Sequence, residues 1–173
     1  FLPGLSGYGV VIGNRSSGVV VTSSHFEGLG EGGVLMYGVS SNRGLDNEPP
    51  RNNRVTHCIF HDLGKTLVHV AAVSLRASSG NVISHNRITT MPRYALEADS
   101  FYNLSAPGGR ISRDNLFEFN VIDDVCYATT DTGAIEMLGT NSNIPASVSW
   151  HRLENSFMYS EFKLSRDGLS RFR

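Results

Sequence analysis

Asn81-Val-Ile-Ser-His-Asn-Arg-Ile88 and Asn115-Leu-Phe-Glu-Phe-Asn-Val-Ile122 are two copies of one frame. Each is followed by a short loop and a second apolar run, Tyr94 to Ala98 in the first copy and Gly133 to Leu138 in the second. In that alignment Glu97 falls on Glu136. A unit of this length cannot bury its own apolar face, so a repeated unit implies a stacked array. Further copies lie on both sides. Asn53 to Phe60 fits with Cys58 in place of the second Asn, and Val73-Ser-Leu75 supplies its second run. Val21 to Phe26 with Gly33 to Tyr37 is a weaker copy, and Arg152 to Phe157 is a fifth start anchored by Asn155. The anchors Phe26, Phe60, Ile88, Ile122 and Phe157 are 34, 28, 34 and 35 residues apart.

Constant cores at unequal spacing point to strands joined by loops of variable length. The runs are too short for helices and rich in Val, Ile and Phe, with Gly, Asn, Ser and Pro in the gaps. The reading is an all-β chain, a right-handed parallel β-helix (solenoid) of about five partial coils over residues 1–160, expected to be a segment of a longer β-helix. A charged tail, residues 161–173, is read as disordered or a short helix. Val10 to Ile12 would be a strand of a preceding coil. Asn86, Asn120 and Asn155 stand two residues before their anchors, at a bend whose left-handed backbone Asn tolerates. Stacked, they form an asparagine ladder inside the coil.

The global numbers exclude more than they identify. A formal net charge of -1 gives no electrostatic reason to expect nucleic acid or an anionic membrane. No apolar run approaches the ~18 residues of a membrane-spanning helix. Cys58 and Cys126 sit two coils apart at different frame positions, which argues against a disulfide. None of the six histidines has the short paired spacing of a metal site, and neither a metal nor a cofactor is expected. His57 and His85 share a frame position and are expected to stack.

Alternation along the second runs places Leu35, Val73, Leu96 and Ile135 inward, and Met36, Ser74, Glu97 and Glu136 outward in one column. Adjacent strands are ~4.8 Å apart, so Glu97 and Glu136 become neighbouring acids whose mutual repulsion raises one pKa above the other. That division suits a general acid and a nucleophile or base. Asp131 precedes Glu136 by five residues and could lean over the same face. Arg93 and Tyr94, which open the strand of Glu97, are read as substrate contacts or turn residues. Asp99 is outward beside Arg76 and is read as a substrate contact or half of a structural ion pair. The bland alternative for the whole set is a solvated strand face. The long 99–114 loop would wall a cleft.

These motifs, and above all Val125-Cys-Tyr-Ala-Thr-Thr-Asp-Thr-Gly-Ala-Ile-Glu136, resemble the right-handed parallel β-helix proteins of the pectate-lyase-like superfamily, with greatest similarity to secreted β-helix glycoside hydrolases. The resemblance spans about residues 53–139. It implies an extracellular protein acting on a polysaccharide or oligosaccharide along the outer strand face, with Asp131 as the motif's acid and Glu97 or Glu136 as its partner. A noncatalytic carbohydrate-binding or structural β-helix is the alternative. A polysaccharide lyase is disfavoured, since no outward Asp triad accompanies a basic residue.

Overall fold

The computed structural model describes residues 6–38, 48–99, 112, 114–130, 132–138, 147–149 and 152–154. Fifteen short strands among them form three sheets, and every pairing is parallel. The first face holds β2 (Val20–Thr22), β5 (Arg54–Thr56), β8 (Val82–Ser84), β11 (Leu116–Glu118) and β14 (Ser147–Ser149). The second holds β3 (His25–Glu27), β6 (Ile59–His61), β9 (Arg87–Met91), β12 (Val121–Val125) and β15 (Arg152–Glu154). The third holds β1 (Val10–Ile12), β4 (Val34–Tyr37), β7 (Ala71–Arg76), β10 (Tyr94–Asp99) and β13 (Ile135–Leu138). The chain visits the faces in order and returns one rung further along, which makes a three-sided parallel β-helix. β1 belongs to a rung ahead of β4, as the sequence suggested.

The interior is built from columns of like residues in register. Phe26, Phe60, Ile88 and Ile122 form one column. The Phe26 and Phe60 rings lie 4.9 Å apart and nearly parallel. Val55, Ile83 and Phe117 form another column, and Met36, Leu75, Ala98 and Met137 a third. Gly33 sits where the chain passes against Phe60: a Cβ there would strike the Phe60 ring and approach the Ala72 carbonyl oxygen at 3.0 Å. Gly33→Ala is therefore expected to destabilise the fold by ~1–3 kcal/mol, as overpacking of a filled core does, measured as a shift in the thermal or denaturant midpoint.

Between the first and second faces, and again between the third and first, the backbone turns through a left-handed residue. At the first of these corners the residues are Ser23, His57, His85 and Phe119, with φ of 51°, 56°, 56° and 52°. At the other they are Gly18, Asn52, Gly80 and Asp114, with φ of 71°, 55°, 64° and 53°. The turn takes the next residue's N–H out of the backbone ladder, and an Asn side chain one rung on accepts it. The Cys58 N–H donates to Asn86 Oδ1 at 2.9 Å, and the Asn86 N–H to Asn120 Oδ1 at 3.0 Å. The other corner repeats the scheme, from Val19 N–H to Asn53 Oδ1 (2.9 Å), Asn53 to Asn81 (3.0 Å) and Asn81 to Asn115 (3.1 Å). All five asparagines are buried. The expected Asn86–Asn120 ladder is present, and a second ladder of Asn53, Asn81 and Asn115 accompanies it.

Three details of the sequence reading are corrected. The left-handed residue is the one before the ladder Asn, not the Asn itself: the bend needs positive φ, whereas the Asn is needed for its amide. In β4 the inward residues are Val34 and Met36, fully buried, while Leu35 lies half-buried in the outward column. Four apolar residues in succession, Val34-Leu-Met-Tyr37, carry no readable alternation. Finally, the strand that follows β12 on the second face is Arg152–Glu154, and its backbone register sets Leu153, not Phe157, opposite Ile122. The fifth first-face strand, Ser147–Ser149, has one apolar residue and so leaves no pattern to read. Asn155, Phe157 and the 161–173 tail lie outside the described residues.

Candidate functional site

The third face holds the candidate acids. Its register places Val11, Leu35, Ser74, Glu97 and Glu136 in one outward column, with Tyr37, Arg76 and Asp99 in the next. Glu97 pairs directly with Glu136, as the repeat alignment required. Val73 and Leu96 face inward and are fully buried, and Ile135 packs partly buried against the same core.

The two glutamates differ in their surroundings. Glu97 is only 4% exposed. Its Oε2 accepts a hydrogen bond from Ser74 Oγ at 2.7 Å and lies 3.4 Å from the Arg76 guanidinium. Tyr8 hydrogen-bonds Ser74 in turn, and burial pushes its phenol pKa up. Burial alone would lower the Arg76 pKa, but the charges of Glu97, Tyr8 and Asp99 more than offset it, and the net shift is upward. Asp99 thus stands beside Arg76 in register and supports its charge. A carboxylate so enclosed cannot reach a bulky ligand; its charge acts on what lies beside it.

Glu136 is half-buried and its pKa is raised. Burial is the main cause, and the neighbouring Glu97 charge adds to it, against opposing contributions from a Tyr94 hydrogen bond, Arg93 and His69. One oxygen, Oε2, is buried and has no hydrogen-bond partner among the described residues. A buried carboxylate oxygen without a donor favours the protonated form. Both effects hold the Glu136 carboxyl above the ordinary glutamate range. The repulsion anticipated from the sequence contributes, but desolvation dominates.

Tyr94 is 2% exposed and makes its hydrogen bond to Glu136 from beneath. Burial, then that bond, raises the phenol pKa far above its ordinary value. The Arg93 guanidinium carbon lies 4.5 Å from the Tyr94 ring centre, and His69 meets the same ring edge-on at 5.9 Å. These contacts fix the Tyr94 ring beside Glu136. His69 and Tyr8 were not foreseen as site residues. Both stand outside the repeat frame, so their proximity depends on loop paths that strand patterning does not encode. Asp131 and most of the 99–114 loop lie outside the described residues.

A testable pH dependence follows. A raised carboxyl pKa means that the folded chain binds the Glu136 proton more tightly than the unfolded chain does, so this group's contribution to stability is present at low pH. It is lost as pH climbs from the ordinary glutamate range through the raised value. Thermal melting of the parent and Glu136→Gln across that interval should show a decline in the parent that the variant lacks.

Among the described residues no three His, Cys, Asp or Glu side chains gather as a metal-ligating group. Cys58 and Cys126 are both free and buried. Cys126 Sγ donates to the Arg93 carbonyl at 3.3 Å, tying the loop before β13 to the start of β10.

Comparison with known families gives one match: the family described as a right-handed beta helix region covers residues 4–144. No curated protein and no solved structure matches the chain.

Proposed function

Because the chain belongs to the right-handed β-helix family, whose third face here bears a pair of stacked acids, we propose that it is a carbohydrate-active protein that hydrolyses glycosidic bonds of a polysaccharide or oligosaccharide. The observation that carries the reading is the raised pKa of Glu136 directly beside Glu97. A carboxyl whose pKa is pushed upward and which is still half-exposed is what a general acid requires.

In this reading Glu136 gives its proton to the glycosidic oxygen as the C–O bond breaks, and the leaving sugar departs as an alcohol. Asp131, the acid of the loop leading into β13, is the group assigned to accept a proton from the attacking water. That oxygen adds to the anomeric carbon, and a proton returns to Glu136 at the end of the cycle. Glu97 is too enclosed to touch the sugar; its anion, held by Ser74 and Arg76, keeps the Glu136 proton in place and favours positive charge developing nearby. Arg93 and Asp99, at the two ends of β10, are the candidate contacts to sugar hydroxyls, and Tyr94 aims Glu136.

The products decide among the possibilities. Hydrolysis of plant and algal polysaccharides releases new reducing ends without ultraviolet absorbance. A lyase would leave an unsaturated, absorbing sugar. Polymer bound but intact would assign this face to recognition alone.

A further inference from the structure

The corner between the first and second faces carries a column of exposed rings that the acid site does not use. His57 and His85 stack with centres 5.0 Å apart and planes 8° from parallel, and Phe119 follows at 5.2 Å. Ser23 occupies the same position one rung ahead of His57. All four are left-handed, and the N–H groups of Ser23, His57 and His85 donate to the carbonyls of Thr56, Ser84 and Glu118 in one repeated pattern. The ring column therefore stops at His57, and at Ser23 a slot about one rung high, ~4.8 Å, opens over the outer face of the imidazole. The slot is rimmed by hydroxyls. Thr56 Oγ1 is 2.8 Å from His57 Nδ1, Thr22 Oγ1 is 3.4 Å from Ser23 Oγ, and Ser24 Oγ donates to the Thr22 carbonyl at 2.9 Å. Thr22, Ser23 and His57 are exposed.

We propose that this slot is a secondary binding site for one pyranose ring of a neutral glycan, stacked on the open face of His57 with its hydroxyls bonded to Thr22, Ser23, Ser24 and Thr56. A flat ring face beside several short hydroxyl side chains suits a molecule with an apolar C–H face and a polar edge. The absence of charge on those rim side chains selects a neutral sugar over a uronate. The site would tether the polymer away from the acids on the third face. It rests on the carbohydrate reading for its ligand class, but not on hydrolysis.

The test separates the two. Binding of cellohexaose and xylohexaose is measured by calorimetry on Glu136→Gln protein, alone and with His57→Asn or Ser23→His. Asn tolerates the left-handed backbone while removing the ring, and His at position 23 extends the column into the slot. Each added substitution is expected to weaken binding of a hexaose at least tenfold, with Ser23→His melting no lower than its parent. The proposal is overturned if neither hexaose binds, if Ser23→His binds as its parent does, or if the slot takes p-nitrophenol but no sugar. Binding retained in Glu136→Gln and lost on adding His57→Asn or Ser23→His supports this site irrespective of the catalytic reading.

Discussion

Replacing Asn120 with Ala is expected to lower stability by ~1–3 kcal/mol, a drop of roughly 2–12 °C in melting temperature for a chain of this size. Asn120 Oδ1 accepts the Asn86 N–H at 3.0 Å and Asn86 Nδ2 at 2.9 Å, and its own Nδ2 donates to the Ile83 carbonyl at 2.9 Å. Truncation leaves the buried Asn86 N–H without a partner, at ~1–3 kcal/mol when no water replaces the loss, while Asn86 Nδ2 keeps its bond to the Val55 carbonyl. Asn86→Ala removes the shared Asn86–Asn120 bond from the other side. The double variant should therefore cost clearly less than the sum of the singles. Additive losses, or an Asn120→Ala melt equal to the parent's, would remove the ladder as a source of stability.

The largest functional effect is expected at Glu136. An amide in place of the carboxyl keeps the shape and loses the transferable proton, and general acids contribute ~10²–10⁴-fold. Glu136→Gln should lower kcat on a responsive polysaccharide by that factor with little change in KM, and with the fold intact by melting. Tyr94→Phe should act through the acid: without the phenol the carboxyl loses its one opposing hydrogen bond. The alkaline limb of the pH–rate profile, which reports the general acid, should then move upward, and the loss in kcat should be smaller than for Glu136→Gln. A purely structural Tyr94 would leave that limb where it was.

The repeat frame made the fold legible because each coil spends its few apolar residues in fixed columns and marks its corners with Asn. Where the column residue was Phe, Ile, Val or Leu flanked by polar neighbours, as in Phe60, Ile88 and Ile122, the reading located it to the residue. It lost phase at Val34-Leu-Met-Tyr37, which is apolar on both parities, and at Ser147–Ser149, where one Val stands between serines. The second ladder was in view as the opening Asn of three copies, Asn53, Asn81 and Asn115, yet only the bond geometry separates a ladder amide from a turn amide. Glu97 beside Glu136 was readable because register in a parallel helix follows from aligned copies. That Glu97 is enclosed and Glu136 is the proton carrier was not readable, since both outcomes depend on Tyr8, Arg76, Tyr94 and His69 closing around two positions identical in pattern.

The account turns on Glu136 holding a proton that an exposed glutamate would have given up. The direct measurement is a carbon-13 titration of glutamate side-chain carboxyls in the intact chain, with the Glu136 signal assigned by its absence in Glu136→Gln. Glu136 is expected to titrate above the ordinary glutamate range, and to fall toward it in Glu97→Gln, where the neighbouring charge is gone. A Glu136 signal that titrates with the exposed glutamates in both proteins would contradict the assignment of a general acid to this face.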